Sequence, residues 1–506
     1  MSVLIAGAGP TGMVAALVLA ANGVECRVLE RRAQPSGSSR ALGLQARSME
    51  LLAGMGVAED IERVAYRLSG ASMMRGDTEL SRFTWVPPQS PYPYTYVLPQ
   101  SGLEDILRDR LRAAGVEIET GAQVQTVTQG ENTVEVTLAD GREISAEWLI
   151  GADGSRSRVR EELGIELAGR ETGETYYLAD IVLDQRPPFQ DSAMWLGPAG
   201  PFMLMRLPGA DELWRIFADM TDTRPLAERP GPGTAELQAL LGERGPSRTR
   251  ITEVQWTSIY RTRVGLAARY RRGRVFLAGD AAHVFPPFGG QGMNLGIQDA
   301  VGLAWRLARV EHGAPVDLLA AYETERRPVA AAIIRDVESR RRLYALRNPV
   351  ARALRDALLR YGSRVPGAAR QASRQNSQLD IGYGRGRGWP RAQGPRIGDR
   401  APDAPLAGGT VYDRLGVDHF TLLVFGAADV TETGNEGGGA PYSVSGAVEV
   451  RIDDETDPTG AAGERYGLRR GGYVLIRPDG YVAYRGSDGA EARRVAAAFT
   501  GAGQPV

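Results

Sequence analysis

The sequence predicts a mixed α/β fold in which a nucleotide-binding unit is interrupted by an antiparallel sheet and followed by a further unit. Three observations predict it. The chain opens with an apolar strand, a glycine-rich turn and a helix. A second strand, loop and helix at 274–294 carries an acidic residue and a proline-glycine loop. Between them, residues 176–270 follow a pattern of mostly short strands, rich in aromatic and methionine side chains.

Length and charge exclude several classes of protein. The 506 residues exceed one ordinary hydrophobic core, so two or three domains are expected. The 60 basic and 61 acidic residues leave a net charge of −1, with no field to attract nucleic acid or an anionic membrane. A single cysteine, Cys26, excludes an internal disulfide framework and a thiolate metal site. No apolar run is long enough to span a bilayer, so a cytoplasmic protein is expected.

The opening segment has the order of a Rossmann-type unit. Residues 2–6 are typical of a buried parallel strand, and a helix and a second strand follow. Gly7, Gly9 and Gly12 match the GxGxxG pattern. The first glycine permits a tight turn, the second lets the backbone approach a pyrophosphate, and the third lets helix and strand pack closely. Glu30 ends the second strand, where its carboxylate could accept hydrogen bonds from a ribose diol.

Two later segments also place polar residues between a strand and a helix. In 149–160 the strand ends at Asp153-Gly154 and a helix begins with Ser and Arg, although a capped turn with a solvated basic face explains this equally well. In 274–294 a buried strand leads to Asp280, a proline-glycine loop and a helix starting near Asn294. Phosphate- and ribose-type sites so far apart favour one long cofactor held at both ends, FAD rather than a nicotinamide nucleotide.

The chain shows no Ser-His-Asp or Cys-His arrangement, so no catalytic residue is assigned and the cofactor is expected to carry the chemistry. His283 fits a packing residue better than an acid or base. The helix near Asn294 could direct N–H groups and its dipole at an anionic reduced flavin. Pro286 and Pro287 predict a stiff apolar wall that excludes water.

The motifs at 7–12 with Glu30, at 153–160 and at 279–294 occur in the order and spacing of the class A flavin monooxygenases. These are single-component aromatic hydroxylases with the p-hydroxybenzoate hydroxylase fold, and the chain resembles them over residues 1–340. The part after Gly398 resembles the thioredoxin-like domain of larger members, but it contains no cysteine and therefore no CxxC pair. The general run of the sequence is most similar to the polyketide and rifampicin-type hydroxylases.

The resemblance implies a set of FAD-binding residues spread over the nucleotide-binding unit. They are Gly7, Gly9, Pro10, Thr11 and Gly12 at the pyrophosphate, Glu30 and Arg31 at the adenosine, Arg40 and Gln100 near the diphosphate or ribityl chain, Asp153 and Arg160 in a motif linked to both FAD and pyridine-nucleotide use, Asp280 at the ribityl chain, and Pro287, Gly292, Met293 and Asn294 around the isoalloxazine.

The resemblance also implies the activity: an FAD-dependent NAD(P)H:O₂ monooxygenase that hydroxylates a large aromatic, polyketide-type substrate through a flavin C4a-hydroperoxide, with NAD(P)H as a transient reductant. The substrate is expected between the flavin and the inserted sheet, lined by Trp195, Met205, Pro286 and Phe288. Three alternatives stay open: a Baeyer–Villiger or epoxidising monooxygenase on the same fold, a non-oxygenating flavin reductase or oxidase, and a flavin carrier. The chain is expected to be a monomer or a homodimer.

The expected domain division follows from these segments. An FAD-binding domain is expected at 1–175 and 273–340, and a substrate-binding sheet domain at 176–272 with the loop 76–96. A helical and linker segment follows at 341–397, and the thioredoxin-like domain covers 398–506. Within this scheme, 143–150 is expected to be one strand and 318–359 one long helical region.

Overall fold

A computed structural model describes residues 1–35, 41–84, 89–187, 189, 191–210, 212–221, 231–286, 288–362, 367–384, 394–426, 443–444 and 447–500. At its centre lies a six-stranded sheet in the order Arg271–Arg272, Val275–Leu277, Trp148–Gly151, Val3–Ala6, Cys26–Glu30, Ile118–Thr120. Neighbouring strands are parallel except for the edge pair formed by the first two strands of that order.

The parallel register brings the three motif-bearing loops together. Ala6 is the partner of both Gly151 and Leu29, and Gly151 is the partner of Leu277. Because the carboxyl ends of parallel strands meet at one edge of a sheet, the turns that follow residues 6, 29, 151 and 277 lie side by side. The mixed α/β fold with a nucleotide-binding sheet is therefore as the sequence predicts.

Twelve helices occur in the described residues: Pro10–Ala21, Ala46–Ala53, Ala58–Val64, Gln100–Ala113, Arg158–Glu162, Thr234–Arg244, Gln291–Glu311, Ala320–Tyr344, Pro349–Gly362, Ala368–Asn376, Ala461–Tyr466 and Gly489–Thr500. The helix expected near Asn294 begins at Gln291, directly after two left-handed glycines, Gly289 and Gly290. The expected long helical region at 318–359 is divided before Pro349, whose ring disfavours helical backbone at the preceding residue. No helix of the described residues has the length and apolar character needed to cross a bilayer.

A second, eight-stranded sheet lies beside the first. Its order is His283–Val284, Ile251–Ala267, Leu167–Leu183, Leu213–Asp219, Gly200–Arg206, Ser192–Gly197, Gly70–Arg75, Thr78–Thr84. Ser192–Gly197, Gly200–Arg206 and Leu213–Asp219 are short, as expected for this part of the chain. The sequence did not predict that Leu167–Leu183 and Ile251–Ala267 each run for 17 residues. These two long strands pair with each other, and the first begins before the expected boundary at residue 176.

The expected single strand at 143–150 is two strands in different sheets. Glu143–Ala146 pairs with Val134–Leu138, which also pairs with Val124–Gln129. Trp148–Gly151 joins the central sheet instead. Burial explains the division: only Ala146 of the first segment is fully buried, whereas all four residues of the second are buried on both faces, as a central parallel strand requires.

The chain ends in a mixed five-stranded sheet in the order Ser443–Val444, Ala447–Ile452, Phe420–Phe425, Gly472–Ile476, Val482–Gly486, with helix Gly489–Thr500 packed on it. The buried ring of Phe420 in this sheet and the partly buried ring of Phe499 in the terminal helix contact Trp305 of the helix Gln291–Glu311. Smaller pairings complete the fold: Pro405–Leu406 with Gly409–Thr410, and Thr95–Val97 between Gly43–Leu44 and Tyr66–Leu68. The C-terminal unit is thus packed directly against the nucleotide-binding unit.

We predict that Gly169→Ala destabilises the fold by about 1–3 kcal/mol, measured as a lower Tm by calorimetry. Gly169 pairs with Gly265 on the neighbouring long strand, and a Cβ at residue 169 would lie 2.0 Å from the carbonyl oxygen of Val264. Gly197→Ala is the control, because a Cβ at residue 197 would meet no atom within 4 Å. Equal Tm values for the two variants would contradict the close approach of the long strands.

Candidate cofactor and substrate site

One cavity of about 1650 Å³ lies where the loops of the central sheet face the eight-stranded sheet. This volume exceeds the range of about 300–1,000 Å³ found for pockets that hold one drug-sized ligand. Its walls include these residues of the predicted site: Gly7, Gly9, Pro10, Thr11, Glu30, Arg31, Gln100, Asp153, Met205, Asp280, Pro286, Gly292 and Met293. The structure therefore brings most of the predicted residues to one place, with room for a dinucleotide and a second ligand.

The N-terminal turn has the shape of a phosphate cradle. Gly7 has a φ of 105°, and a Cβ there would lie 2.3 Å from the carbonyl oxygen of Ala152. A Cβ on Gly12 would lie 2.0 Å from the carbonyl oxygen of Gly7, so the helix packs directly on the turn. Gly9 differs, because a Cβ there would point into open space. Since Gly9 precedes helix Pro10–Ala21 and no side chain caps that helix, its first N–H groups are available to an anion.

Glu30 is held ionised at the end of its strand. Its carboxylate accepts hydrogen bonds from the backbone N–H of Ala8 at 3.0 Å and from the backbone N–H and Nε of Arg32, each at 3.0 Å. Burial alone would raise the pKa of Glu30, but these donors outweigh it and hold the pKa below its usual value. Gln100 also faces the cavity, while its Nε2 donates to Glu104 at 2.8 Å. Arg40 lies outside the described residues.

In the segment at 153–160, Asp153 lines the cavity and Arg160 bonds to neighbouring loops. Asp153 faces the cavity, and its Oδ2 accepts from the backbone N–H groups of Arg158 at 2.7 Å and Val159 at 3.1 Å. Burial raises the pKa of Asp153. Arg160 is buried and is not part of the cavity wall: its guanidinium donates to the carbonyl oxygens of Ala281 and Ser155, at 3.0 and 3.2 Å. Two of its guanidinium nitrogens thus join two loops, and the predicted part of Arg160 in FAD and pyridine-nucleotide use stays a prediction.

Asp280 lies on a loop that is held in place by a hydrogen bond to the buried Asp299. The backbone N–H of Gly279 donates to Oδ2 of Asp299 at 3.2 Å, and the same oxygen lies 2.5 Å from His283 Nε2. Arg326 Nε donates to Oδ1 of Asp299 at 2.7 Å. Burial alone would raise the pKa of Asp299, but His283 and Arg326 hold it below its usual value. His283 is completely buried, as expected of a packing residue, and Asp299 is a site-supporting residue that sequence reasoning missed.

The helix Gln291–Glu311 presents its first turn to the cavity through Gly292 and Met293. Asn294 is completely buried and turned away: its Oδ1 accepts from the N–H of Gln45 at 2.8 Å, and its Nδ2 donates to the carbonyl oxygens of Gly43 and Gly290. The hydrogen bonds of the Asn294 side chain therefore join two loops, and the predicted position of Asn294 at the pyrimidine edge of the flavin stays a prediction. Gly43 and Gln45, which the sequence did not single out, line the cavity. Pro287 and the side chain of Phe288 lie outside what the structure describes.

The eight-stranded sheet forms an apolar floor for the other part of the cavity. Met73 lies opposite Met194, Met194 opposite Met203, and Met203 opposite Phe217, and all four line the cavity. Such flexible, polarisable thioethers adapt to a flat aromatic surface. In the next row, Ser192 lies opposite Met205, and Met205 opposite Arg215. Met205 and Pro286 therefore lie where the sequence predicted, at the cavity wall.

Trp195 is not at the cavity, which corrects its prediction as a lining residue. Its indole Nε1 donates to the carbonyl oxygen of Gly76 at 2.8 Å, and its ring packs edge-on against Phe189 and Phe202 in the sheet core. Successive side chains of a strand point to opposite faces, so the neighbouring Met194 reaches the cavity instead. Both faces of this strand are apolar, which is why composition did not distinguish them.

Two family models cover most of the chain: "FAD binding domain" at residues 1–337 and "Aromatic-ring hydroxylase, C-terminal" at residues 394–505. The chain is 33% identical to 6-methylpretetramide 4-monooxygenase of Streptomyces rimosus, over 96% of this chain and 90% of that protein. The anhydrotetracycline hydroxylase OxyS of Streptomyces rimosus superposes with a TM-score of 0.78 at 30% identity, covering 98% of both chains.

The flavin-dependent monooxygenase PieE, solved in complex with FAD and substrate, superposes with a TM-score of 0.79 at 25% identity and covers 98% of both chains. The chain belongs to the FAD-dependent aromatic-ring monooxygenases, which confirms the resemblance found in its motifs. It is an FAD-binding enzyme, and the open Gly9 cradle and the ionised Glu30 fit that cofactor.

We predict that two alanine substitutions in the glycine turn affect different properties, FAD affinity in one case and fold stability in the other. Gly9→Ala places a methyl group in the open cradle, so FAD affinity falls by roughly tenfold to a hundredfold while the Tm of the flavin-free protein is unchanged. Gly12→Ala collides with the carbonyl oxygen of Gly7 and lowers the Tm of the flavin-free protein itself. Flavin fluorescence titration and calorimetry measure the two quantities. A Gly9→Ala variant with wild-type affinity would show that the cradle does not hold the cofactor.

Proposed function

We propose that the enzyme inserts one oxygen atom of O₂ into a large polycyclic aromatic substrate of the polyketide type, with FAD as cofactor and NAD(P)H as reductant. The observation that carries the proposal is the single cavity that joins the dinucleotide turn at Gly9 to the methionine floor at Met73, Met194 and Met203. The names of the relatives, a 6-methylpretetramide monooxygenase and an anhydrotetracycline hydroxylase, support a polycyclic substrate.

The proposed FAD site runs along the carboxyl edge of the central sheet. The turn at Gly7, Gly9, Pro10, Thr11 and Gly12 holds the pyrophosphate, with Glu30 and Arg31 at the adenosine ribose and Arg40 and Gln100 beside the diphosphate or ribityl chain. Asp280 would bind the ribityl hydroxyls, and Gly292 and Met293 would lie at the isoalloxazine. Pro287, assigned to the same region, lies outside the described residues. Asp153 contributes to the wall, and Arg160 and Asn294 hold the surrounding loops in place.

Around the proposed position of the isoalloxazine ring, the protein provides a fixed electrostatic field and an apolar wall. The helix Gln291–Glu311 starts at the cavity after Gly290, and no side chain caps its first turn. Its N–H groups and dipole would stabilise negative charge on a flavin bound there. Bound flavin supplies the electron transfer and the activation of O₂. Phe285 and Pro286 close the wall beside it and exclude water from the reacting atoms.

NAD(P)H is proposed to reach the flavin from the rim of the cavity. Arg156, Arg261 and Arg263 line that rim, and all three are exposed. Exposed guanidinium groups can receive the phosphates of a dinucleotide for a short time without forming a deep pocket. This arrangement supports transient docking of the reductant, with FAD as the resident nucleotide.

We also propose the division into an FAD-binding domain of 1–175 and 273–340, a sheet domain of 176–272 with the loop 76–96, a connecting segment of 341–397, and a thioredoxin-like domain of 398–506. The mixed five-stranded sheet with Phe420–Phe425 at its centre and a terminal helix supports the thioredoxin-like architecture. That unit has no cysteine for dithiol exchange. The protein is proposed to act as a monomer or homodimer without nucleic-acid or membrane partners.

A substrate screen tests the proposed function. The purified enzyme is supplied with NADH or NADPH in air and with a panel of polycyclic phenols and ansamycins, while flavin absorbance and nucleotide oxidation are followed. At least one polycyclic compound is expected to accelerate nucleotide oxidation and to gain one oxygen atom by mass spectrometry. Rapid nucleotide oxidation that yields only hydrogen peroxide with every compound would favour a reductase or oxidase instead.

We predict that Met194→Ala raises the KM of that substrate by about tenfold while FAD content stays unchanged, because Met194 lines only the floor of the cavity. Trp195→Phe is the matched control on the same strand: it removes a hydrogen bond in the sheet core and lowers the Tm without changing KM. Steady-state kinetics and calorimetry separate the two effects. An altered KM in Trp195→Phe with a normal KM in Met194→Ala would reverse the assignment of the two faces.

A further inference from the structure

The C-terminal unit enters the nucleotide-binding unit through the turn Pro478-Asp479-Gly480, called here the 478–480 turn. Asp479 is only 2% exposed. Its Oδ2 accepts from the indole Nε1 of Trp305 at 3.0 Å, and Arg477 donates to both of its carboxylate oxygens at 2.9 and 2.7 Å. Arg477 also donates to both oxygens of Glu325, at 2.8 and 3.0 Å. The turn is thus fixed by buried, charge-assisted hydrogen bonds to two helices of the other unit.

A first branch of contacts runs from this turn to the loop at Gln45. Arg47, which is completely buried, donates to the backbone carbonyl oxygen of Asp479 and, at 2.9 Å, to Oε2 of Glu50. Arg400 of the C-terminal segment donates from Nε to the same carboxylate at 2.9 Å. Arg47 is the second residue of helix Ala46–Ala53, and Gln45, the residue before that helix, lines the cavity. The 478–480 turn therefore fixes helix Ala46–Ala53, which begins directly after the cavity-lining residue Gln45.

A second branch runs from the same turn to the loop at Asp280. The Tyr481 ring contacts the Tyr383 ring at a centroid distance of 4.3 Å, and the Tyr383 hydroxyl accepts from Arg326 at 3.1 Å. Arg326 pairs with Asp299, and Asp299 accepts from the backbone N–H of Gly279. Residue 280 follows directly and faces the cavity.

We infer that the 478–480 turn positions the two loops that face the flavin, with Arg47 as its principal positioning residue. The inference rests on the proposed flavin site and gives the C-terminal unit a role in that site. The buried carboxylates of Glu50, Asp299 and Asp479 are each paired with a guanidinium, so a displacement of the turn would leave a charge unpaired away from water. The C-terminal unit lies behind the cavity walls and acts through backbone and side chains that touch the cofactor loops.

The test compares Arg47→Met with Arg493→Met in the full-length chain. Arg47→Met keeps the apolar stem and removes the donors to Asp479 and Glu50. Arg493→Met removes an ion pair with Glu449 (2.9 Å) in the same unit, away from the turn. For Arg47→Met we expect the dissociation constant of FAD to rise roughly tenfold, and the visible circular dichroism spectrum of the bound flavin to change. Arg493→Met is expected to keep both values of the wild type.

The visible spectrum separates positioning from stability, because a contact that only stabilises the fold leaves the surroundings of the flavin ring unchanged. Trp305→Phe removes the indole donor to Asp479 together with part of a ring that packs on Phe420 and Phe499. It is measured in parallel and tests the inference if Arg47→Met does not fold. If Arg47→Met or Trp305→Phe folds and keeps the wild-type FAD affinity and spectrum, the inference about the turn is overturned, while the proposed function still stands. A wild-type chain that binds no flavin would overturn the proposed function as well.

Discussion

The whole site depends on the close approach, at Thr11, of helix Pro10–Ala21 to the Asp280 loop and to helix Gln291–Glu311. A Cβ on Gly279 would lie 2.5 Å from Thr11 Oγ1, and a Cβ on Gly296 would lie 2.4 Å from the same atom. Only glycine at both positions lets helix Pro10–Ala21 and the Asp280 loop touch, because any side chain would separate them. That contact places a phosphate cradle from the start of the chain beside a loop more than half the sequence away, and so creates one continuous cavity.

The same loop also joins the cofactor part of the cavity to its floor. Strand His283–Val284, which begins three residues after Asp280, pairs with Gly265 and Leu266 at the edge of the eight-stranded sheet. Asp299 anchors the loop from behind with Arg326 and His283, in a cluster without exposed atoms that water could reach. Because burial makes each unpaired charge costly, this cluster tolerates little movement, and it holds the Asp280 loop in a fixed position at the edge of the eight-stranded sheet.

Sequence reasoning succeeded where a local pattern determines the backbone. The order from Gly7 to Glu30 and the strand before Asp280 carry their own turn and strand signals. It failed where direction depends on distant partners. No local signal predicted that the side chain of Asn294 turns to Gly43 and Gln45, which lie about 250 residues earlier in the chain. Met194 and Trp195 are both apolar, so the sequence alone could not tell which of the two side chains points into the cavity and which into the sheet core.

The most direct measurement is a calorimetric titration of flavin-free enzyme with FAD, and separately with FMN and AMP. A cofactor held at both ends, at the Gly9 cradle and at the Asp280 loop, binds at one FAD per chain and about 100-fold or more tighter than either half. If FMN bound as tightly as FAD, or if the chain took up no flavin, the two-ended site formed at the Thr11 contact would be contradicted.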